Sequence, residues 1–192
     1  MSSVPVKTRR WTRLEYDRLI DHGVFQPGER LELLAGQLVV REPQGDPHSL
    51  AIERVNEALR AAFGPEWRVR VQLPVALDAE SEPEPDVSVA AGRAHSGAEA
   101  KPSRLALVVE ISASSLALDR EHKGSLYARA RVPEYWIVNL NDRVLEVYRD
   151  PGPDVSALHG WAYRSTHSLS AKGHVTPLAA PAARIAVADL LP

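Results

Sequence analysis

The run Leu105-Ala106-Leu107-Val108-Val109-Glu110-Ile111 constrains the fold most, because it is apolar throughout except for one carboxylate next to its end. A strand apolar on both faces belongs at the centre of a sheet that is covered on each side, which points to an α/β domain. The length of 192 residues allows one sizeable core, and no repeat, low-complexity tract or linker divides it. Residues 1–192 therefore read as a single domain behind a short N-terminal tail of about ten residues.

The flanking segments supply the other layers. Thr12 and Glu15 form a capping box and predict a helix over 13–22. Leu31 to Val40 predicts a hairpin turning at Ala35-Gly36, with Glu32 in its first strand. From His48, apolar residues at helical spacing run to a stop at Gly64-Pro65. Val69, Val71, Leu73 and Val75 alternate as a half-buried strand does, the acidic run Asp78 to Glu84 reads as a loop, and Asp86 to Ala90 as a short strand. Gly92 to Ser103 has no periodicity and reads as a mobile loop beside a cleft. Ser114 or Ser115 caps a helix to about Ala130. Strands follow over 135–140 and 143–149, the second ended by Pro151-Gly152-Pro153, with a last β-rich stretch over 161–168. Residues 185–192 are too short a segment to assign.

The absence of Cys excludes disulfides and thiolate metal sites, so a bound metal needs oxygen or imidazole ligands, which favours hard ions such as magnesium or manganese. Asp86 and Glu110 end two neighbouring strands, and Lys123 lies on the helix that follows. Two carboxylates and an ammonium in that arrangement suit a divalent ion and a polarised water, with the carbonyl of Ile111 as a further ligand. The formal net charge of −2 exerts no overall pull on nucleic acid, so any such contact must be local. The basic residues are 19 Arg and only four Lys, which makes Lys123, inside a predicted helix, conspicuous. No apolar signal core opens the chain and no apolar run reaches membrane-spanning length, so a cytoplasmic location and no membrane contact are expected.

Taken together, several motifs resemble the Uma-type endonucleases of the PD-(D/E)xK restriction-endonuclease-like superfamily. They are Val109-Glu110-Ile111-Ser112, Asp119-Arg120, Lys123, Tyr127-Ala128-Arg129-Ala130 and Val132-Pro133-Glu134-Tyr135-Trp136-Ile137-Val138. Pro85-Asp86-Val87, Glu32 and Pro47-His48 fit upstream elements of the same pattern. The resemblance implies a restriction-endonuclease-like core, a curved mixed sheet flanked by helices, and magnesium- or manganese-dependent hydrolysis of phosphodiester bonds in DNA. It implies that Asp86 and Glu110 bind the ion, that Glu32 completes the acidic cluster, and that Lys123 assists the nucleophile. Ser112 stands where the general motif has Lys, so Lys123 would fill that space from the next helix. Ala35 and Arg131 also depart from the family pattern, away from the acidic centre.

Each candidate has a plainer reading. Asp86 after Pro85 is a common turn residue, but Glu110 would cost several kcal/mol if buried without a partner, which argues for a site. Lys123 pairs at i+4 with Asp119, a surface contact worth about 0.3–0.5 kcal/mol. His48 can cap its helix or contact phosphate, while Tyr127, Tyr135 and Trp136 read first as core. The remaining His residues, including His95 and His122, read as solvated. Two rival functions stay open, a catalytically silent nucleic-acid-binding module with the nuclease fold and a dimeric interaction protein.

Overall fold

In the computed structural model, which describes residues 8–41, 43–92 and 101–192, the apolar run becomes β5 (Leu105–Ser112), with every residue buried. Ahead of it lie α1 (Arg13–Asp21), the hairpin β1 (Leu31–Leu34) and β2 (Gln37–Val40), α2 (Asp46–Phe63), β3 (Trp67–Val71) and β4 (Val87–Ala91). After it come a π-helical turn (Leu118–Lys123), α3 (Gly124–Arg129), β6 (Glu134–Asn139), β7 (Val144–Pro153) and β8 (Trp161–Ser170). A two-stranded ribbon of β9 (His174–Val175) and β10 (Ile185–Ala186) and a short 3₁₀ turn close the chain and bury Leu190 and Leu191.

Strands β3 to β8 form one mixed six-stranded sheet in sequential order, with β5 and β6 its parallel pair. A parallel pair needs a crossover, and the π turn with α3 supplies it. Helix α2 lays Ala51, Val55 and Leu59 on one sheet face, against Leu107, Val109 and Ile111. On the other face Tyr127 of α3 packs with Val108, Tyr135 and Ile137. Period-2 alternation along β5 therefore sends Glu110 to the α3 side.

Several local expectations change. The strand expected over 69–75 stops at Val71, because Gln72 takes φ +48° and Pro74 brings no N–H to a ladder. The acidic run 78–84 is less free than a loop, since Leu33 pairs with Glu82. Helix α2 opens at Asp46, ahead of His48. The helix expected over 114–130 is present as one continuous helical run over 116–129, but its middle, Leu118–Lys123, is wound as the π turn that leads into α3. Pro151-Gly152-Pro153 does not end β7, which stays paired with β8 through Pro153. Pairing with β6 stops at Arg149, so the missing proline N–H groups leave no second ladder broken. At the β1–β2 turn Ala35 and Gly36 both take positive φ, and a Cβ on Gly36 would lie 2.7 Å from that of Arg10. The expected loop over Gly92–Ser103, with His95, falls mostly on residues outside those described, as does most of the N-terminal tail.

His122 is not solvated. It is half-buried against His159, with ring nitrogens 3.2 Å apart. Burial, then the neighbouring His122, lowers the His159 pKa from 6.5 to about 4, and burial lowers His122 as well. Histidines depressed by folding stabilise the native state above about pH 6.5, and that contribution fades as pH falls toward the folded pKa. Thermal melts between pH 7 and pH 4 should show a steeper acid decline for wild type than for His159→Gln. Parallel declines would mean the pair does not couple to folding.

Candidate active site

Antiparallel pairing of Val87 with Val109 places Asp86 opposite Glu110, and the Asp86 N–H donates to Glu110 Oε2 at 3.3 Å. The Ile111 N–H returns a bond to Asp86 Oδ2 at 2.9 Å. The two carboxylates are thus fixed by each other's strand. Glu32 arrives from β1, and the crossover brings Lys123, whose Nζ lies 3.1 Å from Glu110 Oε1, 3.1 Å from Glu32 Oε2 and 3.9 Å from Asp119 Oδ1. All four candidate residues, Glu32, Asp86, Glu110 and Lys123, are buried and line one cavity of about 230 Å³, together with Ile111, His48 and Asp119. The i+4 contact of Lys123 with Asp119 is therefore interior and not a surface pair.

The π turn explains how Lys123 points inward. The Gly124 N–H bonds the carbonyl of Asp119, five residues back, which widens the helix just where Asp119 and Lys123 face the sheet. Ser115 fixes Asp119 through a 2.6 Å hydrogen bond. Tyr127, one α-turn on, is core as expected and also donates to Glu110 Oε1 at 2.7 Å.

Burial, and then the carboxylates of Asp86, Asp119 and Glu32, push Glu110 up to about 8 against the pull of Lys123. Burial likewise raises Asp119. Burial also opposes the charge of Asp86, but His48, the Ile111 N–H and Lys123 outweigh it and hold that carboxyl below its ordinary value. Lys123 is held above its ordinary value, since the surrounding carboxylates overcome its burial. The cluster is thus an interior set of acidic groups around a fixed ammonium, in which Glu110 and Asp119 hold their protons more tightly than ordinary carboxyls and Asp86 less tightly.

Three residues of the site were not evident as candidates. Arg41, just past β2, places its guanidinium 3.3 Å from Glu32, 3.2 Å from Glu84 and 3.2 Å from Asp86. Gln44 donates to Asp86 Oδ1 at 3.2 Å, and Gln72, in the turn that ends β3, donates to Gln44 at 2.8 Å. His48 Nε2 lies 3.2 Å from Asp86 Oδ2. The signal for Arg41 lay in the hairpin register. Glu32 faces Val39, so Arg41, two residues on, shares its side of the ribbon.

As donors for a hard divalent ion the groups fit, being carboxylates and a backbone carbonyl with no sulfur. Among the described residues, no group of three or more His, Asp or Glu side chains is arranged so that it could hold a metal ion. The carboxylate oxygens are instead turned toward Arg41, Lys123, Gln44 and Tyr127, and would have to exchange those partners for an ion.

A crystal structure of a "putative nuclease" from Anabaena variabilis superposes with a TM-score of 0.71, covering 94% of this chain and 97% of that one at 18% sequence identity. That likeness concerns the fold. No curated protein matches the chain. The model of the Uma2 family, described as "Putative restriction endonuclease", matches residues 14–173. That span includes the hairpin of Glu32, both carboxylate-bearing strands and the crossover of Lys123, and the chain belongs to the Uma2 family.

Proposed function

We propose that the protein is a metal-dependent endonuclease that hydrolyses phosphodiester bonds in DNA. Family membership supports a nuclease-like function. The observation that carries the reading is the buried contact of Lys123 with Glu110 and Glu32, beside an Asp86 bound to the same strand end. Asp86, Glu110 and the Ile111 carbonyl would hold magnesium or manganese. Such an ion supplies positive charge at the phosphoryl oxygen and lowers the pKa of a bound water.

The chain's own residues do the rest. Lys123 positions the attacking water and offsets charge developing on the phosphoryl group. Glu32 and Asp119 aim its ammonium, and Tyr127 fixes the Glu110 carboxylate. The leaving 3′ oxygen takes its proton from water.

One observation favours a second reading, a silent nucleic-acid-binding module. Arg41 already contributes positive charge inside the cluster. Plasmid and single-stranded DNA incubated with manganese separate the two. Wild type is expected to nick, while Asp86→Ala and Glu110→Ala lose at least about 10²-fold in rate. Equal nicking by all three would point to a contaminant or another site, and binding without nicking would favour the silent module.

A further inference from the structure

We propose that Arg41 is a displaceable counter-ion, which a divalent metal must move off Asp86 and Glu32 before it can bind. This rests on the metal-site reading above. It concerns a residue that lies outside the four candidates.

The Arg41 side chain is 9% exposed, and its three nitrogens are divided among three carboxylates. Two of these, Glu32 and Asp86, are almost fully buried in the cavity, whereas the Glu84 side chain is 30% exposed. Glu84 lines the neighbouring clefts beside Tyr16. The guanidinium therefore bridges the interior cluster and a partner at the solvent edge. Positive charge at this point offsets that of carboxylates that would otherwise repel one another in a low-dielectric interior.

A divalent ion needs some of the same oxygens. Asp86 Oδ1 accepts from Arg41, Gln44 and, more distantly, Gln72, so its lone pairs are heavily subscribed. The two amides are neutral and yield to an ion at modest cost. Arg41 is a second cation and does not share the oxygen.

The route out is built in. Arg41 sits between β2 and α2, outside regular structure, and its backbone is held by a bond from its N–H to the Arg30 carbonyl. Rotation of the side chain alone moves the guanidinium away from Asp86 while Glu84 keeps one of its contacts. At the cavity mouth the freed guanidinium can meet a phosphate oxygen, for which its planar fork is suited.

Competition lowers apparent metal affinity by the fraction of molecules in which Arg41 has withdrawn. Manganese binding to the full chain, followed by the electron paramagnetic resonance signal of free Mn²⁺, measures this without reference to cleavage. Arg41→Gln is expected to bind Mn²⁺ about tenfold more tightly than wild type, while Arg41→Lys, which keeps the charge, stays nearer wild type. In EDTA, Arg41→Gln should melt below wild type and gain more from added Mn²⁺. Arg41→Met gives the same reading should Arg41→Gln fail to fold. Equal or weaker Mn²⁺ binding by the uncharged variants overturns the proposal and leaves the metal site standing, as does a folding defect in both that Mn²⁺ does not relieve. No Mn²⁺ binding by wild type or any variant removes the metal site itself, and the proposal with it.

Discussion

Lys123→Ala is expected to lower manganese-dependent nicking by about 10²–10³-fold, the loss typical when a positioned charge is removed from a site where negative charge develops. It should also lower stability in metal-free buffer by about 3–5 kcal/mol, because breaking a buried pair from one side leaves the opposite charge uncompensated. Lys123 touches both Glu110 and Glu32, with Asp119 close by, so three carboxylates lose their shared cation at once. The ion pairs of Arg41 go to Glu32, Glu84 and Asp86, so Glu110 depends on Lys123 for a direct cation. Urea unfolding in EDTA gives the stability, and a plasmid assay at equal folded concentration gives the rate. A variant that unfolds more easily yet nicks at the wild-type rate would show Lys123 to be structural.

Trp136→Ala should cost about 3–5 kcal/mol, the range for deleting a buried Trp side chain. Trp136 is fully buried in β6, paired with Val109 on one side and Val147 on the other, and belongs to the core beneath α2. Its Nε1 also donates to Glu134 Oε1 at 3.0 Å. Glu134 keeps Arg149 and the Leu178 N–H, so that carboxylate is not left bare and the cavity supplies most of the cost. Domains are stable by only about 5–15 kcal/mol in total, so the loss is a large fraction of the whole. Calorimetry should show a melting point lowered by several degrees or an unfolded variant. A midpoint unchanged within error would mean that the site collapses around the missing ring.

The central strand, the crossover, the hairpin and the long helix were legible because each has a local signature. The all-apolar run of β5 fixes its burial, alternation fixes which side Glu110 takes, and Gly36 fixes the turn. Lys123 could be placed on a helix by pattern, but its aim into the sheet depends on a helix wider than α, which no propensity records. Gln44 and Gln72 were obscure for another reason, as was the reach of Arg41 beyond its hairpin neighbour Glu32 to Asp86. They come from irregular segments whose meeting depends on how the β1–β2 hairpin and the end of β3 settle against β4, a tertiary arrangement. His122 misled because its partner His159 is 37 residues away. The run Pro151-Gly152-Pro153 misled because proline stops a strand only where both of its edges are paired.

A π turn is an α-helix holding one residue too many. Deleting Glu121 would let the segment close to ordinary helix, with Asp119 and Lys123 three residues apart instead of four and drawn about 1.5 Å closer along the axis. The two would still share a face, but the widened turn that aims both at Glu110 would be gone. The contacts of the cluster are therefore set by a count of residues as well as by their identities, and a single-codon deletion that keeps every carboxylate and the ammonium would loosen them.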